Sequence, residues 1–387
     1  MIISLVALGA ALFSLTWFLT HRFEQHRQAL AVQWFDAGQQ ALANSQPREA
    51  ISDLRSALFY RDDDLYRLRL AEALAAANYT DQAKAYLLNL WEERPGSGNI
   101  NLELARIAAT QNNMSEAVRY YHGAIYGVWD SDALQHRLET RLELIHFLLQ
   151  QNQKALAYAE TTSLAASIPP DNPRLHTQAG ELFAQSGDSG SALAQFQLAL
   201  RHDPRSFPAL AGAANAAFAS GEYRRAKQYL EEALGQGPRD PSLIKLLEQT
   251  DLVLASDPLD RHLPRVQRAQ RALLAFDQSG IRLQQCGAPV ALPPTANGKK
   301  GSANNVIANS YPNPNHPNSD LVALAAEWNN LRPKMNVRAL SLNSDLLENS
   351  ADLIFRIEQA TAKTCGTPTG LDWALLQLAN HGSEVER

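Results

Sequence analysis

Small residues recur at nearly constant spacing through the first two thirds of the chain. The recurring alanines lie 33 to 35 residues apart, except for one interval of 40, and are Ala50, Ala83, Ala117, Ala157, Ala192 and Ala226. Small side chains let helices cross closely, and units repeated at this length must stack on each other to bury their apolar faces. The long interval predicts an insertion, which we place within residues 128–137.

Turn-forming residues accompany these alanines in the same register. Five residues before each alanine the chain has Ser45, Asn78, Asn112, Asn152, Gly187 and Gly221. Asn and Gly tolerate the left-handed backbone angles that end a helix. Prolines, which cannot continue a helix, follow four of the alanines by twelve residues, at Pro95, Pro169, Pro204 and Pro238. Each unit is therefore predicted to consist of two short antiparallel helices.

This register resembles that of the tetratricopeptide repeat, which has a small residue at its eighth position, alanine at its twentieth and proline near its thirty-second. The residues at the eighth position are Gly38, Ala71, Ala105, Ile145, Gly180 and Ala214. The resemblance implies an all-α chain in which six helix pairs over residues 28–240 form an α-solenoid, wound as a right-handed superhelix. Aromatic residues make up only 7% of the chain, which also favours helices.

The first helices of such repeats line a concave groove that holds a protein or peptide. The register predicts ten groove residues, namely Leu68, Glu72, Leu102, Arg106, Leu142, His146, Thr177, Glu181, Ala211 and Asn215. The alternative is that many of them pack between neighbouring helices. Some repeats of this family hold a C-terminal carboxylate with lysine at the fifth position and asparagine at the ninth. Only Asn215 fits that pattern, so no such clamp is expected.

An uncharged stretch begins at Ile2 and ends at Thr20. As a helix it is about 28 Å long, close to the thickness of the hydrocarbon core of a bilayer. The stretch therefore predicts a single-pass membrane anchor with a lipid bilayer as partner. With the juxtamembrane segment it covers residues 1–27. Arg22 and Arg27 follow the span, which favours the cytoplasmic side for the rest of the chain, with the periplasmic side as the alternative. A cleaved signal peptide is the competing interpretation. The layout is similar to that of the lipopolysaccharide assembly protein B family, without the paired CxxC motifs of its metal module.

Three segments follow the repeats. Residues 241–286 are predicted to form capping helices, residues 287–319 a linker rich in Pro, Asn and Gly, and residues 320–387 a C-terminal helical region. An apolar stripe that includes Leu347 and Ile354 is expected to pack against the helix ending at Cys286. That packing would bring Cys286 near Cys365. The two cysteines either form a disulfide, which requires an oxidising compartment, or remain free thiols.

Several function classes find no support in the sequence. A net charge of −5 argues against nucleic acid as a partner. Gly298-Lys299-Lys300 lacks the spacing of a phosphate-binding loop, so no nucleotide or other cofactor is predicted. No metal site and no catalytic residue is predicted either, and Ser189 is interpreted as part of a helix start. The sequence thus predicts a membrane-anchored scaffold, with envelope assembly as its candidate role. The alternatives are a hydrolase or transferase with its site after Asp320, and a secreted or periplasmic binding protein.

Overall fold

The computed structural model describes residues 2–291 and 319–381, with side chains described from residue 13 onward. These residues form helices joined by turns and short links, in two compact units, Met1–Leu164 and Ala165–Arg387. Within the described ranges, the strand-like pairing is a single bridge between Ser97 and Val128. The all-α prediction is confirmed.

The first unit holds eight helices in four consecutive pairs. They are α1 (Ile2–Ala43), α2 (Pro47–Tyr60), α3 (Asp64–Ala76), α4 (Thr80–Glu93), α5 (Gly98–Thr110), α6 (Met114–Ile125), α7 (Ala133–Gln150) and α8 (Lys154–Ala165). Three residues connect the two helices of each pair. Connections this short make the paired helices run antiparallel.

Each predicted turn residue has a left-handed backbone. The φ angles are 59° at Ser45, 64° at Asn78, 55° at Asn112, 56° at Asn152, 92° at Gly187 and 78° at Gly221. The alanines five residues later are all 0% exposed. The predicted turns and buried alanines are therefore confirmed. At the fifth of these turns the helix begins at Ser189 as predicted, and Asp188 caps it, because its carboxylate accepts the Ser191 N–H at 3.0 Å.

Residues 128–132 of the predicted insertion lie in the link between α6 and α7, and residues 133–137 form the first turns of α7. The N–H of Val128 donates to the Gly96 carbonyl at 2.8 Å, and the Val128 carbonyl accepts from the Gly98 N–H at 2.8 Å. The indole of Trp129 lies against Gly98, where any Cβ would overlap the ring. The extra residues thus fasten this link to the one between α4 and α5.

The second unit continues with two pairs and then a different arrangement of helices. The pairs are α9 (Pro173–Ser186) with α10 (Ser189–His202) and α11 (Phe207–Ala219) with α12 (Tyr223–Gln236). The later helices are α13 (Pro241–Ser256), α14 (Arg265–Gln285), α15 (Ser319–Leu331), α16 (Val337–Leu342), α17 (Ser344–Cys365) and α18 (Gly370–His381). Residues 292–318, most of the predicted linker, lie outside the described residues.

The glycine at the eighth position of the fifth repeat makes room for an aromatic ring. A Cβ on Gly180 would lie 2.8 Å from Cε1 of Phe196, and Gly212 lies against the same ring. Phe196 is 1% exposed and is held between the two glycines, so it cannot move aside. We expect Gly180→Ala to lower the free energy of unfolding by about 1–3 kcal/mol, as overpacking does.

The matched control is Gly235→Ala, since no atom lies within 4 Å of a Cβ at that helical position. This variant should be neutral or more stable by up to about 1 kcal/mol. Urea-unfolding midpoints measured by circular dichroism would compare the two variants. Equal shifts in the same direction would show that the ring does not constrain Gly180.

The helices after the repeats share one core around Trp328. Its indole N–H donates to the Phe276 carbonyl at 2.9 Å, and the two rings stack with centroids 4.9 Å apart. Leu283 of α14 lies in the same buried cluster as Leu347 and Ile354 of α17. The predicted packing of the apolar stripe against the helix ending at Cys286 is confirmed.

The last helix returns to the final repeat, which the sequence did not predict. The Tyr223 hydroxyl at the start of α12 donates to the Gln377 carbonyl of α18 at 3.3 Å. The rings of Phe218 and Trp373 stack with centroids 6.4 Å apart. The predicted cap consisted of residues 241–286 alone, whereas α18 also covers the apolar end of α11 and α12.

A disulfide joins Cys286, directly after α14, to Cys365 at the end of α17, with their Cα atoms 6.0 Å apart. Next to it, Arg282 donates from Nη2 to the Gly366 carbonyl at 2.7 Å. The two longest helices of the second unit are thus linked at one end by a covalent bond and a hydrogen bond.

The predicted membrane localisation is contradicted. Within the described residues, no helix combines the length and the apolar composition needed to cross a bilayer. The stretch from Ile2 to Thr20 is not a separate helix, because α1 continues through the charged residues Arg22 and Arg27 into the first repeat and ends at Ala43. The side chains of residues 2–12 lie outside those described.

Candidate functional site

The predicted groove residues of the first unit lie on α3, α5 and α7 and differ in exposure. Leu68 is buried, with 8% of its surface exposed, and therefore belongs to the packing between helices. Leu102 and Leu142 are half-buried. Arg106 and His146, at the ninth positions of consecutive repeats, are exposed. The ninth positions are therefore exposed at Arg106 and His146 but half-buried at Glu72, whereas the fifth positions are half-buried or buried.

The second unit shows the same division on α9 and α11. Thr177 is 9% exposed, and its hydroxyl donates to the Pro173 carbonyl one turn earlier at 2.9 Å. Ala211 is half-buried, whereas Glu181 and Asn215 are exposed. The Asn215 amide donates to the Ala211 carbonyl at 2.8 Å and lies along its own helix.

An ion-pair network joins α5 to α7 in the first unit. Arg106 donates from Nη2 to Oε2 of Glu143 at 2.9 Å and from Nη1 to Oε1 of Glu103 at 2.7 Å. The Tyr121 hydroxyl of α6 donates to Oε1 of Glu143 at 2.9 Å. The predicted residue Arg106 is thus fixed by three side chains that the sequence reasoning missed.

The repeat register explains this network. Glu103 and Glu143 both hold the sixth position, one residue after Leu102 and Leu142. Within a helix the sixth and ninth positions are one turn apart, and between repeats the ninth position of one faces the sixth of the next. Arg69 and Glu72 form the same pair one repeat earlier, with Arg69 Nη1 and Glu72 Oε2 2.7 Å apart. The charged residues at the sixth position could therefore have been identified from the repeat register in the sequence.

Burial and neighbouring charges shift the pKa values in this network. Burial raises the pKa of Glu103 above its ordinary value, and the charges of Glu72 and Glu143 raise it further, while Arg106 opposes the shift. Burial and then the Glu143 carboxylate raise the pKa of Tyr121. The hydrogen bond to Glu143 is the main cause that raises the pKa of Arg106, which therefore stays charged.

The network has more acidic than basic groups. Its carboxylates, on Glu72, Glu103 and Glu143, outnumber its two guanidinium groups, on Arg69 and Arg106. Among residues 2–291 and 319–381, no group of three or more His, Cys, Asp or Glu side chains could hold a metal ion. The network is a row of charged side chains held by ion pairs and hydrogen bonds between α5, α6 and α7.

A tetratricopeptide-repeat family model matches residues 183–250. These residues contain the turns at Gly187 and Gly221 and the buried alanines Ala192 and Ala226. This part of the chain matches the tetratricopeptide repeat. The same register extends through the pairs from α1 to α12, as the turn angles and buried alanines show.

Solved structures of repeat proteins are similar to parts of this chain. PilW, described as a widely conserved type IV pilus biogenesis factor, is 19% identical, with 56% of this chain and 98% of that chain covered and a TM-score of 0.39. YrrB, described as a tetratricopeptide-repeat protein with an unusual peptide-binding site, is 17% identical, with 50% and 97% covered and a TM-score of 0.39. At these values the likeness says nothing about ligands. A comparison with curated proteins gives no match.

Proposed function

We propose that the chain is a scaffold that binds a protein or peptide through the first helices of its repeats. The observation that supports this most is the fixed row of charged side chains on α3, α5 and α7. Arg106 and its partners are held in place but remain partly exposed, with 48% of the Arg106 side chain and 34% of the Glu143 side chain accessible. Groups fixed before binding lose little conformational entropy on binding, which favours recognition.

The enzyme alternative placed a site among the helices after Asp320. The carboxyl groups of Glu358 and Asp372 form a buried acidic pair in that region, with exposures of 0% and 8%. Neither side chain is among those that line the cavity between α14, α16, α17 and α18, so this pair does not favour the enzyme. The disulfide between Cys286 and Cys365 supports a location in an oxidising compartment, where such bonds persist. The narrower form of the proposal is that the scaffold takes part in envelope assembly.

Site-specific photo-crosslinking in cells tests the scaffold. A photoreactive amino acid at His146 or Glu181, both exposed on first helices, should give adducts with the same partner. Matched positions on second helices are Thr162 and Glu232, which are also exposed. Mass spectrometry of the adducts would identify the partner. Equal adducts at first and second helices, or none at either, would contradict the proposal.

We expect Arg106→Glu to weaken binding of the partner identified in this way by at least about tenfold. The change removes the cation and places a fourth carboxylate beside Glu72, Glu103 and Glu143. The carboxylates then repel one another, and the row no longer presents the same pattern of charges to the partner. Since these ion pairs are partly exposed, their loss should cost only about 1 kcal/mol of stability. Biolayer interferometry would measure affinity, and circular dichroism would check the helix content.

The control for this variant is Arg119→Glu, because Arg119 is exposed on α6 in the same repeat and lies over the Tyr120 ring. It should leave affinity unchanged. Equal affinity for the Arg106→Glu variant and the unmodified chain would mean that the partner does not use this row.

A further inference from the structure

A cavity of about 690 Å³ opens among the helices that follow the repeats. It lies between the start of α14, the short helix α16, and one face of α17 and α18. A volume of this size matches that of sites for small organic ligands and is far larger than a single inorganic ion needs. The cavity is separate from the repeat helices that carry the proposed partner site.

One wall of the cavity carries three arginines whose charges nothing described in the chain neutralises. Arg261 lies in the link before α14, Arg265 is the first residue of that helix, and Arg268 follows one turn later on the same face. Within the described residues, none of the three guanidinium groups has an ion-pair partner. Nε of Arg268 is buried without a hydrogen-bond partner there.

The start of α14 adds to the positive potential at this wall. Its cap residue is Pro264, and no side chain there accepts a hydrogen bond from the first turn. The free N–H groups of a helix start attract anions. Guanidinium groups and free amides of one helix end thus point to an anionic ligand.

The opposite wall of the cavity carries one cation, Arg356, which is already ion-paired. Arg356 donates from Nε to Asp352 at 2.9 Å and from Nη2 to Glu327 at 2.6 Å. Glu348 is the remaining carboxylate of the lining. The lining thus carries four arginines and the two carboxylates of Glu348 and Asp352, an excess of two positive charges, which Glu327 beside Arg356 reduces to one.

Apolar side chains line the cavity beside the polar residues Ser341, Ser344, Asn349 and Gln359. Leu340, Leu347 and Leu378 are buried, whereas Leu259, Leu342 and Phe355 are at least partly exposed. An inorganic anion would contact the arginines and leave these last three groups facing water. A ligand that carries its charge on an apolar body would contact both. We propose that this cavity binds a small organic dianion, a phosphate monoester or a dicarboxylate, with its charge on the arginines and its apolar part against these side chains.

Calorimetric titration of the full chain with phenyl phosphate tests the proposal, because this probe joins a dianion to an apolar ring. We expect a Kd below about 1 mM at low salt. Arg265→Gln and Arg268→Gln should each raise the Kd by at least about tenfold, the effect of losing a charge-assisted hydrogen bond. Inorganic phosphate and phenol should each bind at least about tenfold more weakly, since each fills one half of the cavity.

Two further variants distinguish a change in Kd caused by the cavity from one caused by a folding defect. Glu348→Gln should lower the Kd, because it removes the one unpaired carboxylate of the lining. Arg239→Gln should change nothing, since Arg239 is exposed in the link before α13 and outside the cavity. Isophthalate distinguishes the two ligand sources: tighter binding than phenyl phosphate would assign a dicarboxylate, and weaker binding a phosphate monoester.

The proposal is overturned if neither phenyl phosphate nor isophthalate binds, or if the arginine variants bind as tightly as the unmodified chain. Inorganic phosphate that binds as tightly as phenyl phosphate would also overturn it, because the apolar wall would then have no role.

Discussion

Replacing both Cys286 and Cys365 with serine is expected to lower the free energy of unfolding of the C-terminal helices by about 4 kcal/mol. The bond joins residues 79 apart in the sequence. Opening it frees a loop of that length in the unfolded chain, and the entropy gained there favours unfolding. The helix packing around Trp328 remains in the variant, so the helices should still form but melt earlier.

Urea unfolding with and without a reductant would measure this effect. Reduction should move the midpoint of the unmodified chain to that of the double serine variant. The same reductant should leave the double variant unchanged, which controls for effects on the rest of the chain. An unmodified chain whose midpoint does not respond to complete reduction would contradict the prediction.

The repeat could be predicted from the sequence because its determinants are local. A left-handed backbone at Asn78 or Gly187 depends on that residue type, and a buried alanine such as Ala83 depends on its distance from the turn. These signals recur six times in one register, so each supports the others. The same reasoning placed the insertion correctly, since a constant period reveals where residues have been added.

The return of α18 to the last repeat could not be predicted in this way. Tyr223 and Gln377 are 154 residues apart, and neither has a neighbour in sequence that indicates the other. An amphipathic helix reveals that it has an apolar face but not which surface that face covers. The helices after Asp320 and the packing of α17 against α14 could therefore be predicted, but the position of α18 could not.

The candidate site was predicted only in part, because the sequence does not indicate the contacts between neighbouring repeats. The register placed Arg106 and His146 on the exposed face of the first helices, where the structure has them. Leu68 and Thr177 are buried instead, because a projected position does not say how closely the next helix approaches. The ion pair of Arg106 with Glu143 required the sixth position of the following repeat to be considered as well.

A buried carboxyl group should make the C-terminal helices less stable as the pH rises. Glu358 of α17 is 0% exposed, and neither of its oxygens has a hydrogen-bond partner among the described residues. Burial raises the pKa of Glu358 from 4.5 to about 8, the nearby Asp372 raises it further, and Arg282 opposes the shift. Burial also raises the pKa of Asp372, which accepts a hydrogen bond from Gln278 at 3.2 Å.

The direction of the effect follows from proton binding. Between about pH 4.5 and pH 8 the unfolded chain has lost the Glu358 proton while the folded chain still holds it. The free energy of unfolding therefore falls as the pH rises through this window and levels off above it. The shift corresponds to a loss of about 4 kcal/mol over the whole window, with Asp372 acting in the same direction.

We expect Glu358→Gln to abolish most of this loss, because the amide cannot ionise and resembles the protonated carboxyl in shape. The variant should match the unmodified chain near pH 5 and exceed its stability near pH 8 by about 4 kcal/mol. Pulse proteolysis in urea, read from cleavage within α17, would follow these helices specifically. The control is Glu327→Gln, since the hydrogen bond from Arg356 lowers the pKa of Glu327 and its charge has no part in the alkaline loss. Parallel pH profiles for Glu358→Gln and the unmodified chain would show that the folded protein carries this carboxylate ionised at neutral pH.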